Sequence, residues 1–383
     1  MCSLFTHNIY SREINHNMVG LKQYSNTTSS YIQDYTANQI TANEVTANIS
    51  SNKPVIGGYI LNSTLQDGYS GKIFEGTHLS TLKRVAIKCC NKEKHWERET
   101  KALKSMKHPN IIGLVGQPTK NVSFPSNIRY LQDAKNSVVT FNNNTSTNMK
   151  HRVKSAKNVH ILAIEYAEHG DLYDIFDTNG CFHESAARFV FKQLLEGIIY
   201  AFENGDNGRG ISHRDIKMEN ILIDRNGTVK LADWGLCAFN SRDRYCTSSC
   251  GTLSYMSPEL ICRKAYRGEK IDVWAMGVVL FAMLFGTMPY ATPKGRRKNV
   301  MDETWKDSFL KAMESENWKL WWMEHKSNNV YVRNASSECK DLIEKLLDWD
   351  DEKRMSFYEI YTHPWMLHKT KYDNDDFVDE FFN

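Results

Sequence analysis

Asp215, Lys217 and Asn220 put a carboxylate, an ammonium and an amide within six positions, in the run I-S-H-R-D-I-K-M-E-N from Ile211 to Asn220. A second carboxylate follows in Asp233-Trp234-Gly235. Two oxygen ligands held together suit a hard cation such as Mg²⁺, which takes few protein ligands and completes its shell with water and phosphate oxygens. Between them, Asn226-Gly227 separates two alternating apolar runs. That dipeptide signals a tight hairpin, because its residues tolerate positive φ. With those two at the turn centre, Arg225 faces Thr228, Ile223 faces Lys230 and Asn220 faces Asp233. Opposed residues have Cβ atoms about 5 Å apart. This register predicts that Asn220 and Asp233 converge beside Asp215.

Length and composition bound what surrounds such a set. The chain has 383 residues, enough for one large or two ordinary domains, with 41% hydrophobic and 24% charged residues, so a substantial core is expected. A net charge of +3 argues against nucleic-acid binding by bulk electrostatics. Nine cysteines show no C-x-x-C pair and no zinc spacing, and read as reduced intracellular thiols, cytoplasmic or nuclear. Residues 1–20 hold no apolar run of signal-peptide type. The longest apolar stretch, Val273 to Phe285, is too short to span a bilayer and reads as a buried helix, so no membrane partner is expected. Residues 1–58 are rich in Asn, Thr and Ser, repeat Thr-Ala-Asn, and read as a disordered leader.

The elements that position the chemistry follow in order. Tyr59 to Ile164 reads mostly as strands with one helix. Within it, Leu65-Gln66-Asp67-Gly68-Tyr69-Ser70-Gly71-Lys72-Ile73 has glycines that let a backbone close on anionic oxygens. Val85-Ala86-Ile87-Lys88 is a strand carrying a lysine. Lys92 to Lys107 has helical composition and stops at His108-Pro109-Asn110. Gln117 to Asn158 is polar and reads as a largely disordered surface insertion. Val159 to Ile164 resumes as a strand. Ala186 to Phe202 has apolar residues at helical spacing, and Asn204 to Gly210 reads as a surface turn.

Together these motifs resemble the eukaryotic-type protein kinases, whose catalytic loop H-R-D-L-x-x-x-N precedes D-F-G. His213-Arg214-Asp215 and Asn220 match, and Trp234 replaces the Phe. The resemblance covers about residues 59–368 and is nearest to the serine/threonine kinases of the calmodulin-dependent and AMP-activated type. It implies an α+β bilobal fold: a small antiparallel-sheet lobe with one helix (59–164, insertion 117–158) and a larger, mainly helical lobe (165–368). It also implies transfer of the ATP γ-phosphoryl group to protein Ser or Thr, with Mg²⁺.

On that resemblance Asp215, Lys217 and Asn220 are catalytic, and Asn220 and Asp233 hold metal. Leu65, Gly68, Tyr69, Ser70, Gly71, Ile73, Ala86, Lys88, Glu165, Ala167 and Leu222 line the nucleotide site, with Ile164 as gatekeeper. The helical partner of Lys88 falls on Glu99 by its offset from His108-Pro109-Asn110, with Glu93 and Glu97 as alternatives. The first glycine of the family loop is Gln66 here. His213 is expected to pack structurally. Asp272 is expected to bond the catalytic-loop backbone, Thr252 to bond Asp215, and Glu259 to pair with Arg354.

Ser248 lies where such kinases take an activating phosphate from an upstream kinase, within reach of Arg214. Asp171 and Glu219 match positions that read basic residues in protein substrates, and Asp171 reads equally as a helix cap. The chain is expected to be a monomer. The acidic, aromatic tail 369–383 reads as a frayed end, the alternative being docking on the small lobe. Rival readings are a nucleotide-binding pseudokinase scaffold and a small-molecule phosphotransferase on the same fold.

Overall fold

Strand Arg84–Cys90 sits at the centre of a six-stranded antiparallel sheet ordered β1-β2-β3-β4-β6-β5. The strands are β1 (Val55–Ile56), β2 (Tyr59–Gly68), β3 (Gly71–His78), β4 (Arg84–Cys90), β5 (Thr119–Ser123) and β6 (Asn158–Ile164). The computed structural model describes residues 54–68, 71–123, 158–242, 244–290, 310, 318, 322, 330–369 and 371–382. Tyr69, Ser70, the leader before Pro54 and residues 124–157 of the expected insertion lie outside them. Pro54–His78 and Lys83–Asn383 make up one unit, to which the following refers. The described part of the other is Leu79–Leu82, a turn in which Leu82 has φ 59°.

Every residue of β4 from Val85 to Cys90 is buried, as a strand covered on both faces requires. Its side chains alternate. Val85, Ile87 and Cys89 join a cluster with Phe74, Ile161 and Ala163 on one face. Ala86 and Cys90 join the main core with Leu162 and Ile164 on the other. The period of two therefore sends Lys88 toward the main core with Ala86. Helix α1 (Glu93–Ser105) packs on the sheet, with Trp96 Nε1 donating to the Ile161 carbonyl at 3.0 Å.

One expectation fails here. β5 lies inside the stretch read as insertion and pairs with β6, Thr119 opposite Ile161 and Val122 opposite Val159. T-K-N-V-S shows no apolar alternation because it is the edge strand, mostly open to water.

The large lobe contains helices α2 (Leu172–Asn179), α3 (Glu184–Gly208), α4 (Pro258–Ile261), α5 (Gly268–Phe285), α6 (Val330–Asn334), α7 (Ser337–Leu346), α8 (Phe357–Tyr361), α9 (Pro364–Leu367) and α10 (Asn374–Phe382). Short strands β7 (Ile211–Ser212) and β10 (Ala238–Phe239) pair with each other, as do β8 (Ile221–Ile223) and β9 (Val229–Leu231). The Val273–Phe285 stretch is indeed a buried helix, since every residue from Gly268 to Phe285 except Glu269 is buried. Among the described residues no helix is long and apolar enough to cross a membrane.

Two further expectations are corrected. The Asn204–Gly210 turn is only partly a surface feature and begins within the last residues of α3, where Gly205 to Asn207 leave helical geometry: Gly205, Asp206 and Gly210 are buried while the other four are exposed, and Asp206 and Asn207 take left-handed φ of 50° and 59°. The tail is neither frayed nor on the small lobe. It forms α10, whose Phe377 is fully buried against Phe189 (5.0 Å) and Phe381 (4.7 Å), while Phe382 stacks on His169 at 3.8 Å. Phe377 and Phe381 are four apart, so they share one helix face.

Candidate active site

The catalytic loop hangs from α5. Asp272 accepts the backbone N–H of His213 at 2.7 Å and of Arg214 at 2.8 Å. His213 is buried, which lowers its imidazole pKa and keeps the ring neutral. Its Nε2 bonds the Ala232 carbonyl at 2.9 Å, so Nδ1 accepts the Asp215 N–H at 3.2 Å. This is the expected structural role.

Asp215 is thereby aimed into a polar cluster. Its Oδ1 accepts from Thr252 Oγ1 at 2.9 Å, and Lys217 Nζ lies 3.4 Å from Oδ2 while donating to Thr252 at 3.1 Å. Asn220 Nδ2 donates to the Asp215 carbonyl at 2.8 Å. Asn220 thereby spends an amide N–H on the loop backbone.

The hairpin carrying Asn220 differs in register from the sequence expectation. Ile223 opposes Val229 and Leu222 opposes Lys230. Extending the pairing, Asn220 meets Ala232, whose N–H it binds at 2.9 Å, and not Asp233. The cause is Asp224, whose side chain accepts the N–H of Asn226 and of Thr228, both at 2.9 Å. That makes a three-residue loop in which Gly227 (φ 74°) takes the left-handed conformation and Asn226 does not. A one-residue slip would turn Asp233 to the other face. Its left-handed backbone (φ 60°, ψ 66°) redirects it.

Redirected, Asp233 Oδ1 accepts from Lys88 Nζ at 2.8 Å, and Lys88 also meets Glu99 Oε2 at 2.7 Å. Burial alone would lower the lysine pKa, but the two carboxylates outweigh it and hold the ammonium charged. Burial likewise opposes ionisation of Asp233, yet Lys88 pulls its pKa down to about 2. Burial raises that of Glu99. The alternatives Glu93 and Glu97 pair with Lys120 at the surface instead. Trp234 fits where the family has Phe: it is fully buried, and its Nε1 donates to the Leu231 carbonyl at 3.1 Å.

The expected nucleotide-site residues divide by lobe. Gly68 opposes Gly71 across the β2–β3 connection, and a Cβ on Gly71 (φ 144°) would lie 2.0 Å from the Cys89 carbonyl oxygen. Gln66, in place of a glycine, opposes Ile73, and Leu65 is 45% exposed. Half-buried Ile73 and Leu222 and buried Ala86 belong to one apolar cluster that reaches both lobes. Ala86 opposes Ile164. Glu165 is held from three sides: its N–H donates to the Gly113 carbonyl at 3.0 Å, and its carboxylate accepts from Gly113 N at 3.1 Å and Lys230 Nζ at 3.0 Å. The Ala167 carbonyl accepts from Gly170.

A protein kinase domain model matches residues 59–366. The chain belongs to the protein kinase domain family. Its relatives include the probable serine/threonine-protein kinase MARK-A of Dictyostelium discoideum, 30% identical over 319 residues that cover 81% of this chain and 24% of that protein. CBL-interacting protein kinase 11 of Oryza sativa subsp. japonica is 28% identical over 322 residues, covering 81% and 52%. NUAK family SNF1-like kinase 1 of Mus musculus is 30% identical over 240 residues, covering 61% and 30%. The chain thus spans from about a quarter to about half of the length of these proteins. The domain is of the eukaryotic serine/threonine type.

Features outside the family motifs complete this kinase site. Tyr266 belongs to none of the sequence motifs. Its hydroxyl accepts from Arg214 at 3.0 Å and donates to the Ser248 carbonyl at 2.7 Å. Arg214 also donates to Ser248 Oγ at 2.8 Å. Glu259 and Arg354 form the expected buried, bidentate pair at 2.7 and 3.1 Å. Asp171 caps α2 through the Asp174 N–H. No local pattern marks Tyr266, because its partners lie 18 and 52 positions away.

Proposed function

We propose that the kinase transfers the γ-phosphoryl group of ATP to Ser or Thr hydroxyls of proteins. The observation that carries this reading is the closed ion triad Glu99–Lys88–Asp233 beside the Asp215–Thr252–Lys217 cluster. The hydroxyl oxygen attacks the γ-phosphorus, the bond to the bridging oxygen breaks, and ADP leaves. Asp215 orients the hydroxyl and takes its proton. Lys217 neutralises charge on the transferring group, and Lys88 holds the α/β-phosphates. Leu65, Ile73, Ala86 and Leu222 enclose the adenine, whose edge meets the Glu165 and Ala167 backbone. Gly68 and Gly71 let the backbone close over the phosphates, and Tyr69 and Ser70 between them belong to the same nucleotide site.

Asp233, ionised down to about pH 2, and the amide oxygen of Asn220 form a hard donor set that suits Mg²⁺. When bound, the ion would neutralise charge on the phosphate oxygens.

The favoured substrates are proteins with basic residues near the acceptor. Asp171 and Glu219 are the recognising groups: Glu219 adds to the negative field at Asp171, and Glu219 Oε2 is buried without a hydrogen-bond partner. Phosphorylation of Ser248 by an upstream kinase would strengthen its link to Arg214. The free cysteines among the described residues fit a reducing intracellular compartment. The deciding assay supplies labelled ATP and mixed protein substrates to wild type, Asp215→Ala and Asp233→Ala. Label on Ser and Thr with wild type alone supports the proposal; equal labelling by all three ends it.

A further inference from the structure

The non-helical turn at the end of α3, Gly205 to Asn207, grips the helix carrying Glu99. Lys101 and Ser105 lie four apart, on one face of α1. Both meet Asp206. Lys101 Nζ is 2.9 Å from Asp206 Oδ1, and the Asp206 N–H donates to Ser105 Oγ at 3.4 Å. Ser105 gives its own proton to the Ala102 carbonyl at 2.9 Å, which leaves its oxygen as an acceptor. Lys101 also lies over the Phe239 ring, 3.8 Å from the centroid, near the start of the run from Asp233 to Glu259 that carries Ser248, the activation segment of the family.

The turn is itself anchored. Gly210 N donates to the Gly205 carbonyl at 3.0 Å, Ser241 N to the Gly210 carbonyl at 3.1 Å and Arg242 N to the Arg209 carbonyl at 3.2 Å. The same loop therefore touches α1 on one side and Ser241 and Arg242 on the other. Asp206 is 7% exposed, and its left-handed backbone is a conformation Asp and Asn tolerate better than other side-chain-bearing residues. A buried acid in a strained turn persists where its surroundings hold it there.

We propose that Asp206 is a positioning residue: by holding Lys101 and Ser105 it keeps α1 where Glu99 reaches Lys88, and it ties that setting to the start of the activation segment. This rests on the reading of Lys88–Glu99 as catalytically required. The group acts through α1 and touches no substrate. Its effect is set by a part-exposed ion pair and a cation–π contact, so a several-fold change is the scale to expect.

The test compares wild type, Asp206→Asn, Lys101→Met, the double variant and Lys101→Arg in full-length protein. Asn keeps the left-handed backbone and removes the charge. Both single variants should lower kcat about three- to tenfold with peptide KM unchanged. The double variant should be no slower than the slower single one, and Lys101→Arg should match wild type. Amide hydrogen exchange in residues 99–105 should quicken in Asp206→Asn. Unchanged kcat in both single variants, or losses that multiply in the double, overturns the proposal. Lys101→Met keeps the test open if Asp206→Asn does not fold, because Lys101 is largely exposed. Glu99→Gln serves as the control. If it retains full activity, the underlying reading of the site is wrong; if it is inactive while Asp206→Asn is not impaired, only the clamp is wrong.

Discussion

The Lys88 ammonium and the Glu99 carboxylate lie 2.7 Å apart with side chains 3% and 1% exposed. Two charges that far from water hold only as a pair. Glu99→Ala leaves Lys88 with Asp233 alone, so stability should fall by about 3 kcal/mol, the lower end for a broken buried pair. A urea denaturation midpoint equal to wild type would contradict this. Activity should fall with it, read as kcat/KM for ATP.

Asp215 takes one hydroxyl bond from Thr252 at 2.9 Å and lies 3.4 Å from Lys217. Asp215→Asn keeps the shape and removes the acceptor of the substrate proton. Turnover should drop about 10²- to 10⁴-fold. Nucleotide affinity, measured by titration, should stay within a factor of about two, since Asp215 does not hold the phosphates.

His108 ties stability to pH. Burial pushes its imidazole down to about 4, while its Nδ1 accepts the Asn110 N–H at 3.1 Å and its ring stacks on Tyr200 at 4.8 Å. A depressed folded-state pKa means that the unfolded chain binds the proton first. The contribution is complete above about pH 6.5 and is lost as pH falls toward 4. It amounts to about 2 kcal/mol after allowance for the part-exposed ring. Melting curves of wild type and His108→Asn should converge across that window; a constant gap would refute the assignment.

Burial raises the Asp171 carboxyl to about 6. Below that pH it is neutral and loses its attraction for a basic side chain. KM for an arginine-containing peptide should therefore rise as pH falls from 7 to 5 in wild type. It should change less in Asp171→Asn. KM for a peptide without basic residues should not follow this course.

Phe377 is fully buried in α10. Phe377→Ala should cost about 3–5 kcal/mol, the range for a large-to-small change in a packed core. A frayed tail would show no change in the calorimetric midpoint.

The site was largely legible because its residues announce themselves locally. Asp215, Lys217 and Asn220 share one short loop, and the run Val85–Lys88 alternates as a strand must. Asn226-Gly227 gave a hairpin but the wrong register, since the side chain of Asp224 captured two N–H groups and lengthened the loop. β5 reads as insertion because an edge strand needs no apolar face. The tail reads as frayed because Phe377 becomes core, and Phe381 half-buried, only against Phe182 and Phe189.

By itself the sequence determined which functional groups are present and the short-range spacing that joins some of them, because a loop of a few residues has little freedom to separate its ends. The offset from His108-Pro109-Asn110 points to Glu99 as the partner of Lys88, and tertiary structure shows why the alternatives do not reach it. Glu93 and Glu97 lie one helical turn apart on an outer face with Lys120, whereas Glu99 is turned inward against β4 and Asp233. Composition does not distinguish the three glutamates. What selects among them is the face of α1 that the sheet and the buried turn at Asp206 press into the core.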